Sequence, residues 1–229
     1  MDIYDIIDPI ARSIRKACKR LDDNDLFSID EASAKENIIL RMINYEKNKE
    51  LLKDAIYYKF NDLAVTLRWE VNIAGEEGDF LVTKKMGAPW NLKQKELFNI
   101  ARENTFKKYK PVIRRLNDVL SDLMLGTSEG SLCDDNPALY ISNCGGAFGA
   151  VAMLNSETLE EVAKIFDSDY YIIPSSVNEI IAVPVFAVDD TEQVKWLIKR
   201  VNQETVSKTD FLSDSLYFYH SLEKSVSMV

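Results

Sequence analysis

The sequence predicts an α+β fold of mainly antiparallel sheets with helices packed on one face, and three observations carry that expectation. Leu63, Val65, Leu67, Trp69 and Val71 alternate with Ala64, Thr66, Arg68, Glu70 and Asn72, the period of a strand with one buried and one wet face. A glycine-bearing break at 74–78 and a second apolar run at 80–83 then close an antiparallel hairpin. Finally, residues 136–229 read as hairpin, helix, hairpin, helix and strand, a succession that builds an antiparallel sheet covered by helices.

In chain order, Asp8 and Pro9 open a helix with an N-cap residue and a proline at its first position. Ile10, Ile14, Ala17, Cys18 and Leu21 recur on one face of it, and Arg12, Arg15, Lys16, Lys19 and Arg20 form a basic face that reads as solvated. Residues 21–35 are a polar connector in which Ser28 and Glu31 have capping-box spacing. The compact run 38–43 is expected as a strand, and 44–55 as a polar helical turn or two with Leu51, Leu52 and Ala55 on its apolar side. A helix is expected over 92–104 with Leu97, Ile100 and Ala101 inward. Pro111 is expected to start another core-packing helix, with Val112, Ile113, Leu116, Val119, Leu120, Leu123 and Met124 at helical spacing.

Residues 126–137 are rich in Gly, Ser, Asp and Asn, which marks a boundary between an α+β lobe over 1–125 and a second over 136–229, or a loop within one continuous domain. In the second lobe, strands are expected at 138–142 and 147–154, a helix at 157–166, a strand pair at 170–184, a helix at 191–204 with Val194, Leu197, Ile198 and Val201 inward, and a closing strand at 215–219.

Composition bounds the function. A chain of 229 residues with 46% hydrophobic content buries a substantial core. A net charge of -9 repels phosphate backbones and anionic headgroups, so nucleic acid and membrane surfaces are not expected as partners. Cys18, Cys133 and Cys144 are widely spaced and odd in number, which fits reduced thiols in a cytoplasmic protein rather than a disulfide framework or a zinc knuckle. The acidic first residues do not read as a signal peptide, and no apolar run has the length of a membrane helix.

Several stretches, RMINYEKN at 41–48, DLAV at 62–65, Glu96-Leu97 followed by ARENT at 101–105, YIIPSSVNE at 171–179 and Leu212-Ser213-Asp214, together resemble an uncharacterised bacterial domain-of-unknown-function family associated with Clostridia-type intestinal bacteria. The resemblance covers about 37–219 and implies a cytoplasmic bacterial protein; it assigns no catalytic residue.

The chemistry-bearing residues are few. Gly145, Gly146 and Gly149 cluster, but no Walker lysine follows and the next element reads as a strand, so a hairpin turn is preferred to a phosphate cradle. His220 is the sole histidine, it has no G-x-S-x-G elbow to serve, and it reads as a strand-end residue. Asp134-Asp135, Asp167 with Asp169, and Asp189-Asp190 read as turn and N-cap groups rather than metal ligands. The candidate ligand-binding residues are Tyr171, Ser175, Ser176, Asn178 and Glu179, because two hydroxyls, an amide and a carboxylate meet at the strand break over 174–179. The alternative is a turn whose polar groups hydrogen-bond their own backbone.

With no nucleophile–base pair, metal cluster or cofactor motif, the sequence reads as a non-catalytic binding or regulatory protein that contacts a protein partner with a basic face. The alternative is a small-molecule-binding protein or hydrolase using Ser175 or Ser176 with Glu179 and one of Tyr170, Tyr171, Tyr217 or Tyr219. A homodimer formed through a sheet edge is the weaker third reading. No cofactor, catalytic residue or metal ligand is assigned.

Overall fold

The structure is a computed structural model and describes residues 31–73, 76–123 and 136–229; the basic helix expected over 9–21, Asp134-Asp135 and most of the 126–137 boundary lie outside them. The fold is α+β with two antiparallel sheets. A short helix α1 (Glu31–Asn37) leads into strand β1 (Ile38–Asn44), whose apolar run is buried at every position but Ile43. A 3-10 turn (Glu46–Asn48) and helix α2 (Lys49–Leu52) follow; Leu52 is buried, but Leu51 faces solvent, contrary to its expected inward place. Strand β2 (Tyr57–Phe60) is an addition that four residues of mixed character do not announce by period.

Strand β3 (Leu63–Ile73) and strand β4 (Glu76–Leu81) form the expected hairpin, with Trp69 opposite Phe80 and Glu70 opposite Asp79. The first sheet has the order β1-β3-β2, with β4 also on β3. The expected wet face of β3 fails in its first half, where Ala64 and Thr66 are as buried as Leu63, Val65 and Leu67. Small side chains at 64 and 66 let that stretch be covered on both sides.

The described residues group into two compact units. The first holds 31–40, 50–57 and 66–105. In it, helix α3 (Lys84–Gly87) is capped by the Thr83 hydroxyl, which accepts from the Met86 amide at 3.2 Å. Helix α4 (Gln94–Lys108) buries Leu97, Phe98, Ala101 and Thr105. Near its end Asn104 donates to the Lys35 and Ile38 carbonyls at 2.7 and 2.9 Å, and the Thr105 hydroxyl accepts from the Leu40 amide at 2.8 Å. The ARENT stretch thus fixes the junction of α1 and β1 by satisfying backbone groups that the helix end leaves open.

The second unit holds 41–49, 58–65 and 106–229 and contains a six-stranded sheet, β10-β9-β7-β8-β6-β5 in order. Its strands are β5 (Pro111–Arg115), β6 (Leu139–Asn143), β7 (Tyr170–Ile173), β8 (Ile180–Pro184), β9 (Tyr217–His220) and β10 (Ser225–Met228). Residues 111–115, expected to open a helix, are instead an edge strand on β6. Proline is accepted there because the first residue of an edge strand need not donate to the ladder, and Val112 and Ile113 favour extended backbone. Helix α5 (Leu116–Leu123) follows, but none of its residues is buried, so it is no core helix.

The strand expected at 147–154 is a 3-10 helix (Gly149–Leu154) with all six residues buried. Phe148 enters it in the left-handed region at φ 56, a conformation that a continuous strand does not contain. Helix α6 (Ser156–Phe166) is capped by Asn155 and buries Thr158, Leu159 and Val162; the Tyr170 hydroxyl donates to the Leu159 carbonyl at 3.1 Å. Helix α7 (Thr191–Glu204) has the expected bounds, and Asp190 caps it by accepting from the Glu192 amide at 2.8 Å. Its inward face differs: Ile198 and Asn202 are buried, whereas Leu197 and Val201 are exposed. The buried direction is chosen by Asn202, which donates to the Ser213 carbonyl and the Asp214 carboxylate. The closing strand runs over 217–220 and turns back as β10, pairing His220 with Ser225.

Candidate functional site

Strands β7 and β8 pair Tyr170 with Pro184 and Ile173 with Ile181, and this register places residues 174–179 at the end of the hairpin. Pro174, Ser176 and Val177 are buried, while Ser175, Asn178 and Glu179 are half-buried. The Ser176 hydroxyl donates to Glu179 Oε1 at 2.7 Å and accepts from the Asn178 amide at 2.9 Å. The Ser176 amide donates to the Glu179 carbonyl at 3.3 Å, so the turn closes on itself through both backbone and side chain.

Asn178 faces the other way. Its Oδ1 accepts from the Phe148 amide at 3.0 Å, and its carbonyl accepts from the Gly149 amide at 3.0 Å and the Ser142 hydroxyl at 2.7 Å. The next bond along is from the Ala150 amide to the Val177 carbonyl at 3.3 Å, and Val177 in turn donates to the Asp210 carbonyl at 2.8 Å. The turn is therefore the clamp that holds the entrance of the buried 3-10 helix. Gly149 shows how close the fit is: an added Cβ would lie 2.5 Å from the Asn178 carbonyl oxygen and 2.7 Å from the Ser142 Cα.

Of the five sequence candidates, the side chains of Ser176 and Glu179 come together, while that of Asn178 turns to the Phe148 amide. Tyr171 packs its ring edge-on against Phe218 at 5.0 Å between centroids, and the Ser175 amide donates to the Ile173 carbonyl at 3.0 Å. The Ser176 hydroxyl is engaged on both sides, donating to the Glu179 carboxylate and accepting from the Asn178 amide, so it anchors the turn.

A second polar cluster, which the sequence does not announce as a site, centres on Asp62. Its Oδ2 accepts from the Ser213 and Ser215 hydroxyls at 2.6 and 3.1 Å, and its Oδ1 accepts a short hydrogen bond from the Tyr217 hydroxyl. Burial pushes the Tyr217 hydroxyl well above its ordinary range, and the bond to Asp62 adds to that. Tyr217 is thus a neutral donor, and Asp62 gathers three hydroxyls. The available signal was that DLAV at 62–65 and Leu212-Ser213-Asp214 are both stretches of the family resemblance, and the structure bonds one to the other.

The remaining candidates have structural partners. The Asp169 carboxylate accepts from the Ser221 hydroxyl and amide, which holds it below the usual carboxylate range. Asp167 is the left-handed C-cap of α6. His220 Nε2 lies 2.9 Å from the Ser227 hydroxyl, with its ring on Phe218. Gly145 and Gly146 form the turn after β6, where the Gly145 amide donates to Asn143 Oδ1 at 2.9 Å. Cys144 is a free, exposed thiol. Among the described residues no helix is long and apolar enough to cross a membrane.

No curated protein and no solved structure matches the chain. A family model described as a family of unknown function, DUF5688, matches residues 1–221, and with nearly the whole chain so covered, the protein belongs to that family.

Proposed function

We propose that this protein is a non-catalytic binding or regulatory protein of the bacterial cytoplasm, acting by contact between α7 and a protein partner with a basic face. The observation that carries this reading is a patch on α7 in which Trp196, Leu197 and Val201 are 59%, 52% and 42% exposed. Arg200 stacks on Trp196, its guanidinium 5.3 Å from the ring centroid. Exposed tryptophan and arginine side by side are the residue types that dominate binding energy in protein interfaces. Asp189, Asp190, Glu192 and Glu204 flank the patch in a chain of net charge -9, and complementary charge speeds the encounter with a cationic partner.

The test compares wild type with the triple variant Trp196→Ser, Leu197→Ser, Val201→Ser as immobilised bait in a lysate of the native host. A basic protein retained by wild type, released by salt and lost from the variant is the expected result. A retained set that is the same for both baits overturns the reading, as does light scattering that shows a wild-type dimer and a monomeric variant.

A second reading, a hydrolase, is favoured by the 2.7 Å bond from Ser176 to Glu179. Labelling of Ser176 by a serine-directed fluorophosphonate, absent in Ser176→Ala, would support it over contact alone.

A further inference from the structure

We propose a ligand site for an apolar zwitterion, an α-amino acid or very short peptide with both termini free, in the cleft beside α5 and the end of α6. The cleft has a volume of about 410 Å³, and Arg115, Asp118, Asn136, Ile165, Phe166 and Phe186 are among its walls. That size lies in the range of small-molecule sites, roughly 300–1,000 Å³.

Three features of the walls select the ligand. Arg115 makes no hydrogen bond or ion pair with any described residue, whereas its neighbour Arg114 is paired with Asp122; the donors of Arg115 are open to a carboxylate. Asp118 likewise makes no hydrogen bond or ion pair among the described residues, its one charged influence being a Coulombic attraction on Arg114. The two stand three residues apart, at the end of β5 and in the first turn of α5, and do not bond to each other. Opposite charges that share a cleft without pairing can each take one end of a zwitterion. Phe186 and Ile165, which line the same cleft, are 69% and 54% exposed, a large apolar area left in water. Asn136 uses its Oδ1 to accept from the Ala138 amide and keeps its side-chain NH₂ for a carboxylate oxygen.

In the bound state the ligand's carboxylate lies on the Arg115 guanidinium, its ammonium on the Asp118 carboxylate, and its side chain covers Ile165, Phe166 and Phe186. A plain anion is repelled by Asp118, and a plain cation by Arg115. The site is separate from the α7 patch, so loss of either leaves the other standing.

The experiment is calorimetric titration of the full chain with L-leucine, L-phenylalanine and leucyl-leucine, beside N-acetyl-L-phenylalanine amide, which keeps the ring and removes both charges. The expected result is saturable binding of at least one zwitterion, weakened about tenfold or more by the blocked analogue and by each of Arg115→Gln and Asp118→Asn. Both residues are exposed, so the variants should fold, and circular dichroism checks that. No saturable binding of any zwitterion up to about 10 mM overturns the proposal. Equal binding of the blocked analogue overturns it too, as does binding that Asp118→Asn leaves unchanged, because an anion alone would then be what the cleft takes.

Discussion

Gly149 is the residue where backbone, turn and buried helix meet. Its amide donates to the Asn178 carbonyl, and the space where a side chain would stand is already filled by that same carbonyl and by the Ser142 Cα. These two obstacles are backbone and cannot swing aside; the third and nearest, the Ser142 hydroxyl, is held by its hydrogen bond to the Asn178 carbonyl. Gly149→Ala is expected to destabilise the protein by about 1–3 kcal/mol, the cost of overpacking a tight site. Thermal or urea unfolding measures it; a variant as stable as wild type would show that the hairpin end yields more readily than these distances imply. At the same scale, Asn178 is a clamp because its side chain and its backbone both bond to 148–149. From the sequence it looks like a ligand-binding amide, since a side chain's partners across 30 residues of chain are not encoded in its neighbours.

Among elements, the tie between the β2–β3 turn and the segment leading into β9 depends on one carboxylate. Asp62 accepts from Ser213, Ser215 and Tyr217, and the Tyr45 amide donates to the Asp62 carbonyl at 3.1 Å. Asp62→Ala leaves the Tyr217 and Ser213 hydroxyls buried with their acceptor gone, a penalty on the order of 3 kcal/mol for the group. Asp62→Asn keeps one acceptor oxygen and should cost less. Denaturant unfolding of the two variants tests the order, and an alanine variant no worse than the asparagine one would mean that water replaces the carboxylate freely. Helices divide in an instructive way. The bounds of α7 follow from its Asp190 cap and its helical period, yet its buried side is set by Ile198 and Asn202. Periodicity gives an apolar stripe its width; which edge of the stripe the core covers depends on what it packs against.

For the whole molecule, 37 acidic residues against 28 basic ones make acid the natural probe of stability. Asp169 supplies a signed expectation. Its pKa is lowered first by the Ser221 hydroxyl, then by the Ser221 amide. The unfolded chain therefore holds more protons than the folded one just below the ordinary carboxylate value of about 3.9. The stabilisation is fully present above that value and is lost as pH falls through the lower folded-state pKa. Thermal melts of wild type and Asp169→Asn from neutral pH to about pH 2 should converge as acid is added. A difference that stays constant across the series would mean that the carboxylate's charge contributes nothing to folding.

The sequence by itself determined the α+β class, the β3–β4 hairpin, the β7–β8 hairpin, and helices α4, α6 and α7, because alternation, helical period and capping residues are properties of neighbouring residues. It also brought Ser176, Asn178 and Glu179 to notice, since they sit within one turn. Only the tertiary structure decided that 111–115 is an edge strand, that 149–154 is a buried 3-10 helix and that Leu197 and Val201 stay in water. In each case an apolar run is compatible with more than one local conformation. The choice falls to partners outside the run itself: β6 for residues 111–115, Asn178 for Gly149, and Ser213 for Asn202.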